Sequence, residues 1–558
     1  MSNSDAGAVP DAKADKTMKL ERPIRIATPE SRVVTLAFLS RALPGSFVGK
    51  NIARALAAET DQPVALIRLV RPPTGDTTTI FHSASSLSGE FPLPAQIPNG
   101  DDGYYHLTIG ENGELYQPEW IPSLVEQLRR RFRYVLIEAV ADEVFGPSLI
   151  ELLQHSNSGY LFVRAASEDV YHLDLLVREL RDRRYVGQFK PVLCLHNGEN
   201  VDGFDALIGR VCRPLDIFIR GCPNADDPSP TPTGSFLADI RRLARSIGEC
   251  LVGLALSSGA AKGLSHIGVI QVLEENGIEI DMVAGSSMGA YVGSIWNSGR
   301  NGQELEEIAR QMESRWAFWK LIDPVFPPRR GFVRGYGVKH HLQKSIGHVR
   351  FAELVRPLHI VATNLATLER IVFSSGEVAD AVHASIAVPG VCVPVTLDGE
   401  TYVDGGIVDP LPVDVLRELG VTRIIAVNCI PTSDRIKYCL QAEQELAQLT
   451  HKKTREVVRK LIPAGEHLNY FHQGNILDIL MRSIHGAQIS MSESLSRQAN
   501  VVLRPRICDD RWMDYRNPGP FIAAGRQIAE RHLPEIKALV ERKTAQHELP
   551  LEAMAQFA

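Results

Sequence analysis

Short apolar runs recur along this 558-residue chain, spaced so that a helix fits between them. Val33–Leu39, Val64–Leu69, Tyr134–Ile137, Gly159–Val163 and Val192–Leu195 are each too short for a helix and too uniformly apolar for a half-exposed strand. Strands buried on both faces and separated by helical stretches, such as Gly49–Ala58 after the first run, predict a parallel sheet covered by helices. A second series of this kind runs from Leu251 to about Ile430. The chain is too long for one ordinary core, so the expectation is two α/β domains.

The boundaries follow from composition. Residues 1–30 are polar and aperiodic and read as a disordered N-terminus. The first domain is expected over 31–221, followed by a proline-rich polar linker over 222–235. The second is expected over 236–430, entered by a short helix from Phe236 to Gly248. Residues 431–543 read as a helical extension completing or capping the second domain, with a late strand at Val501–Pro505 and a closing helix over Gly519–Arg542. Residues 544–558 read as a flexible tail.

Bulk properties narrow the function. A net charge of -6 argues against nucleic acid as a partner. Eight cysteines without a CxxC pair argue against a disulfide framework or a zinc site, and for a reducing compartment. Met1–Pro23 lacks the apolar centre of a secretory signal. No stretch of membrane-spanning length stays apolar; Leu251–Ile270 comes nearest but contains Lys262, Ser265 and His266. The expected location is cytoplasmic, with any membrane reached peripherally from its inner face. No cofactor and no metal are expected, since no His/Cys/Asp cluster has ligand spacing.

The sharpest motif is Gly285-Ser286-Ser287-Met288-Gly289, between an apolar strand from Ile280 and a small-residue helix running to Trp296. This G-x-S-x-G elbow projects a serine hydroxyl clear of a sheet, and the flanking glycines avoid collision of strand with helix. The helix start behind Ser287 favours developing negative charge. The alternative is a glycine-rich packing turn. Upstream, Leu254–Leu256 runs into Ser258-Gly259-Ala260-Ala261-Lys262-Gly263 and then an apolar helix. Such a loop turns several N–H groups toward one point, as an oxyanion needs, with Lys262 orienting the loop or adding positive charge. Glycine-rich loops also cradle phosphates, and the elbow that follows favours the oxyanion reading. Downstream, Thr401-Tyr-Val-Asp404-Gly405-Gly406 puts a carboxylate at a strand end beside small neighbours. Partial burial would strengthen Asp404 as a base. Asp409, just before Pro410, suits a turn role better.

This set of glycine-rich loop, G-x-S-x-G and late D-G-G resembles the patatin-like phospholipases over about Leu251–Ile430, and Ala384-Ser385-Ile-Ala387-Val-Pro389 looks like that family's segment before the aspartate. With Arg241-Arg242 and Ser265-His266-Ile-Gly-Val, the order is most similar to the neuropathy target esterase (lysophospholipase) branch. The resemblance implies a three-layer α/β/α hydrolase with a mainly parallel central sheet. It also implies a Ser–Asp dyad without histidine, acting on phospholipids or lysophospholipids. Carried over, Ser287 is the nucleophile, Asp404 the base, and Gly259 with Ala260 the oxyanion hole. The family's loop reads G-G-G-x-R/K-G, whereas Ser258 and Ala260 stand in two glycine places here. A left-handed φ at either position would strain the loop.

In the first domain, Pro44-Gly45-Ser-Phe-Val-Gly49-Lys50-Asn51 after a buried strand is similar to a degenerate P-loop of the ParA/MinD-type ATPases. Pro44 replaces the first glycine and Asn51 the magnesium-binding hydroxyl, which predicts a structural or regulatory domain without nucleotide. Trp316-Ala-Phe318-Trp319, Phe326, Arg329, Arg330, Phe332, Arg334, Tyr336, Lys339 and Lys344 combine aromatic and basic groups suited to a membrane surface, or to a helix packing its aromatics inward. Lys452-Lys453, Arg455, Arg459 and Lys460 form a second basic stretch, and Phe471–Ile484 is a candidate amphipathic cap.

Two other functions compete. A Ser-His-Asp esterase or thioesterase would need a histidine after Asp404, with His451, His467, His472 and His485 available. His266 is expected to pack or cap. A catalytically weakened regulatory scaffold is the non-enzymatic alternative.

Overall fold

Neighbouring residues of the first strand part at once: Val33 and Ala37 enter one apolar cluster, Val34, Leu36 and Phe38 another. The computed structural model describes residues 31–40, 42–69, 103–109, 118–140, 147–183, 188–196, 217–227, 230–314, 323–432, 476–506 and 514–541, with single residues 199, 204, 211, 321, 434 and 437. The readings placed on 1–30, Trp316–Trp319, Lys452–Lys460, Phe471–Asn475, the histidines at 451, 467 and 472 and the tail lie outside them.

The first sheet comprises β1 (Arg32–Phe38), β2 (Val64–Leu69), β3 (Tyr105–Ile109), β4 (Tyr134–Val140), β5 (Ser158–Arg164), β6 (Gln188–Leu195) and β7 (Ile217–Arg220). Their order is β3-β2-β4-β1-β5-β6-β7, every pair parallel. The second sheet comprises β8 (Val252–Leu256), β9 (Met282–Ser286), β10 (Leu358–Asn364), β11 (Arg370–Phe373), β12 (Val395–Leu397), β13 (Glu400–Asp404), β14 (Arg423–Val427) and β15 (Val501–Leu503). Its order is β12-β13-β10-β9-β8-β14-β15, with β11 also paired to β10. The run from β10 to β15 is parallel, and β11, β12 and β13 are antiparallel. This is the α/β class expected, with a mixed second sheet.

In the second sheet Leu254 and Leu256 face one cluster, with the helices Ser265–Glu275, Met288–Asn297, Val378–Ser385 and Pro518–Glu541. Ala255 faces the other, with the helix Val413–Glu418. Both faces are thus covered, which is why the central strands carry little polar alternation. The helix Pro518–Glu541 belongs to this core: a Cβ on Gly525 would overlap the Ser265 carbonyl, and one on Gly268 the Ile522 carbonyl. Gly268 and Gly525 therefore let two helices approach backbone to backbone.

The helix Gly234–Ile247 was expected to enter the second domain, but its apolar face lies with the first. Phe236, Ile240, Leu243, Ala244 and Ile247 pack among Val34, Leu36 and Ile52. Its polar face spans the two units: Arg245 reaches Glu59 at 2.7 Å on one side and Asp281 at 3.1 Å on the other. Arg220 at the end of β7 donates to the carbonyls of Leu354 and Val355 at 2.7 and 2.8 Å. No helix among the described residues is long and apolar enough to cross a membrane.

Candidate active site

β10 sets the site. Its Val361 pairs with Ser286 at the end of β9, and the next residue, Ala362, pairs with Asp404 at the end of β13. Consecutive rungs of one strand thus place Ser287 beside Asp404. The Ser287 hydroxyl donates to Asp404 Oδ2 at 2.6 Å, across 117 positions of sequence.

The elbow is strained. Ser287 has φ 54° and ψ -117°, a conformation that costs a non-glycine residue on the order of 1–3 kcal/mol. Gly285 and Gly289 permit the turn: a Cβ at 285 would lie 2.7 Å from Ala290 N, and one at 289 would overlap the Leu256 carbonyl. Met288 begins the helix, and a Cβ on Gly263 would strike its side chain, so the upstream loop presses directly on the elbow. Segment 385–387 holds both strand ends. The Ser287 N–H donates to Ser385 Oγ at 2.9 Å, that hydroxyl donates to the Val361 carbonyl at 2.6 Å, and the Asp404 N–H donates to the Ala387 carbonyl at 2.9 Å.

Asp404 is 3% exposed. Its Oδ1 accepts the Gly406 N–H at 2.7 Å. Burial pushes its carboxyl up to about 6, against the opposing pull of the Ser287 and Gly406 hydrogen bonds. The group is therefore a carboxylate near neutral pH, with more proton affinity than an exposed aspartate has. Asp409 turns elsewhere: it sits 3.3 Å from Arg370, which also binds Asp414 and Glu418. Cys392 and Tyr515 lie near enough to feel the Asp404 charge, and both stay protonated because burial raises them.

The loop after β8 completes the arrangement. Ser258 donates to Ser286 Oγ at 3.1 Å, and a Cβ on Gly406 would lie 2.5 Å from Ser258 Oγ. Gly259 and Ala260 open the 3-10 turn Ala260–Leu264, so their N–H groups precede its internal ladder. Lys262 is half-buried and donates its own N–H to the Gly259 carbonyl at 3.1 Å. Ala260 has φ 49°, which is the left-handed strain anticipated for it, whereas Ser258 is not among the positive-φ residues. His266 braces the loop from below: fully buried and held neutral at about 4 by desolvation, it donates from Nε2 to the Ser257 carbonyl at 2.9 Å. Cys429 N–H donates to Ser257 Oγ at 2.9 Å on the same side. Among the described residues no imidazole is bonded to Ser287 or Asp404.

Residues 254–417 match the family model of the patatin-like phospholipases, a span that holds the loop, the elbow and the aspartate. Over that span the chain is similar to the patatin-like phospholipases. Lysophospholipase NTE1 from Lodderomyces elongisporus is 27% identical over 325 residues, 56% of this chain and 22% of that protein. An uncharacterised NTE family protein from Mycobacterium bovis is 39% identical over 179 residues, 32% of this chain and 48% of that protein. The chain thus spans between a fifth and a half of the length of these curated relatives. Among solved structures, a ParA family ATPase from Chlorobium tepidum is similar at 14% identity and TM-score 0.28, covering 38% of this chain and 89% of that one. VipD from Legionella pneumophila is similar at 14% identity and TM-score 0.27, covering 51% of this chain and 67% of that one.

Two residues that sequence reading gave no site role also bond to the surroundings of Ser287 and Asp404. Ser385 was noted only as part of a segment. Gln488, in the helix Ile476–Ser496, donates to the Gly406 carbonyl at 3.1 Å and so steadies the turn behind Asp404. No local pattern marks Gln488, and the segment around Ser385 was notable only by resemblance, without a role for its hydroxyl. In the first unit, the helix Gly45–Thr60 begins where the P-loop-like motif stands, and Asn51 donates its side-chain amide to the Phe47 carbonyl at 2.8 Å, within its own helix.

Proposed function

We propose that the patatin domain is a serine-dependent acyl hydrolase of phospholipids or lysophospholipids, with Ser287 as nucleophile and Asp404 as base. The observation that carries this reading is the 2.6 Å hydrogen bond from the Ser287 hydroxyl to a buried carboxylate of raised proton affinity. Ser287 Oγ attacks the ester carbonyl as Asp404 takes its proton, and the oxyanion is met by the N–H groups of Gly259 and Ala260. Collapse expels the alcohol, which receives the proton, and leaves an acyl-Ser287. Water then attacks the acyl carbonyl as Asp404 again accepts a proton, the bond to Ser287 Oγ breaks, the proton returns to Oγ, and the fatty acid departs. The strained, pre-aimed serine and the fixed carboxylate spare the reaction most of its orientational cost.

Family similarity supports the ester-hydrolase class, and the direct bond from the Ser287 hydroxyl to Asp404 favours a dyad over a Ser-His-Asp triad, in which a histidine would stand between serine and carboxylate. The weakened-scaffold reading draws on the altered loop, Ser258 and Ala260; of the two only Ala260 is strained, and a strained backbone still presents its N–H. The test is hydrolysis of a phospholipid and lysophospholipid panel by wild type, Ser287→Ala and Asp404→Asn, with fluorophosphonate labelling in parallel. Wild type should release fatty acid and label at Ser287, and both variants should lose turnover while remaining folded. Turnover in Ser287→Ala at the wild-type rate would refute the assignment.

A further inference from the structure

Phe326 is 96% exposed, the most exposed large apolar side chain among the described residues. It stands at the tip of a short hairpin whose base is firmly tied. Pro324 and Val333 form an antiparallel bridge, and the Val325 N–H donates to the Phe332 carbonyl at 2.8 Å. The hairpin is stitched to the segment that precedes Asp404: Phe332 N–H donates to the Val391 carbonyl at 2.8 Å and Val393 N–H to the Val333 carbonyl at 2.9 Å. The tip itself, Phe326-Pro327-Pro328-Arg329-Arg330, is exposed throughout. A rigid projection carrying an unburied aromatic ring contributes nothing to either core.

Its charge is equally one-sided. From Asp323 to Ile346 there are five Lys and Arg residues and one acidic residue, in a chain whose net charge is -6. That acid, Asp323, is occupied: it accepts the N–H groups of Gly335 and Tyr336 at 2.8 and 2.9 Å, at the start of the helix Tyr336–Ile346. Lys339 is paired with Asp380. Arg329, Arg330 and Arg334 are exposed, and among the described residues no ion pair holds them. A second exposed apolar pair lies beyond the end of β10, where Leu365 and the 69%-exposed Leu368 cap the turn into β11. This is the end of the sheet at which Ser286 and the elbow also emerge.

We propose that the 324–330 hairpin tip docks on an anionic lipid surface, with Phe326 entering the interface and Arg329 and Arg330 holding anionic head groups. Aromatic rings suit the interfacial layer, and each arginine near an anionic leaflet adds a salt-sensitive attraction. Because the hairpin is bonded to 391–393, docking brings the dyad to the lipid it is proposed to cleave. The proposal rests on the acyl-hydrolase reading only for that consequence; the docking itself is independent of turnover.

The test is co-sedimentation of the full chain with vesicles of phosphatidylcholine alone and of phosphatidylcholine mixed with phosphatidylglycerol, at low and high salt. Wild type and Ser287→Ala should bind the anionic vesicles equally, and less at high salt. The Arg329→Gln/Arg330→Gln double variant should bind anionic vesicles about 30-fold more weakly and lose most salt dependence. Phe326→Ala should weaken binding about tenfold. Hydrolysis of a soluble short-chain ester, which needs no vesicle, should be unchanged in both variants. Vesicle binding at wild-type strength by both variants, or none by wild type, overturns the docking proposal. Absence of ester hydrolysis in wild type, with docking intact, overturns the acyl-hydrolase reading instead.

Discussion

The hydroxyl of Ser385 stands between two main chains: it accepts the Ser287 N–H at 2.9 Å and donates to the Val361 carbonyl at 2.6 Å. On the proposed mechanism it is a positioning group, fixing the strained backbone of residue 287. Ser385→Ala should therefore lower kcat by roughly 10- to 100-fold, since a small misplacement of an attacking group is costly, with little change in KM. Threonine, which keeps the hydroxyl, should recover much of the loss. Steady-state kinetics on a soluble ester decides this, and an unchanged kcat in the alanine variant would remove Ser385 from the account.

The acid limb of activity should report Asp404. A base must be ionised to work, so kcat/KM should fall as pH drops through about 6, the value to which burial lifts this carboxyl. Stability should move the opposite way. A carboxyl raised from 3.8 to about 6 by folding contributes stability that is present below its unfolded value and lost as pH rises through the folded one. Asp404→Asn should therefore stabilise the fold by on the order of 2 kcal/mol near pH 8 and by little near pH 4. Denaturant titrations at the two pH values measure it.

Ala260 holds φ 49° where an L-residue is disfavoured. Ala260→Gly should relieve that strain, for a net gain of up to about 1 kcal/mol after the greater chain entropy of glycine is subtracted. Thermal unfolding should show a small rise in Tm. Hydrolysis should be retained or increased, because the N–H survives the change. A lower Tm would mean that the methyl group makes contacts worth more than the strain.

Gln488, 82 residues downstream of Gly406 and buried behind Asp404, satisfies the Gly406 carbonyl. Gln488→Ala leaves that acceptor unpaired and should cost about 1–3 kcal/mol of stability. The loss should appear as a lower denaturation midpoint with an unaltered slope. Activity should fall less than in Ser385→Ala, since Asp404 keeps its bond to the Gly406 N–H.

What could be read in the sequence is what is local. The elbow is five contiguous residues whose glycines are demanded by contacts within one strand, one turn and one helix, together with the strand beside them. The carboxylate at 404 announces itself by its two following glycines. A Cβ on Gly405 would overlap the Val361 carbonyl, so its smallness has a local cause too. Ser385, Cys429 and Gln488 are different: each acts through a partner at least 82 residues away in sequence, and nothing about a single serine, cysteine or glutamine reveals that pairing. The helix Gly234–Ile247 teaches the same lesson at larger scale. Its amphipathic pattern says that one face is buried, but not against which sheet, and it is the first that receives Phe236 and Leu243. In the first sheet, β3 and β7 were not singled out in the sequence because each has several half-exposed residues rather than a uniform apolar run.

The pairing of Val361 with Ser286 and of Ala362 with Asp404 makes the meeting of Ser287 and Asp404 a property of alignment between strands rather than of spacing along the chain. Loops joining those strands are free to lengthen or shorten in descendants of this sequence at small entropic expense. One residue inserted within Leu358–Ala362 is another matter: it would send alternate side chains to the wrong face and carry Asp404 away from Ser287. Evolution can therefore remodel the surroundings of this centre at will while β10 itself stays fixed in length.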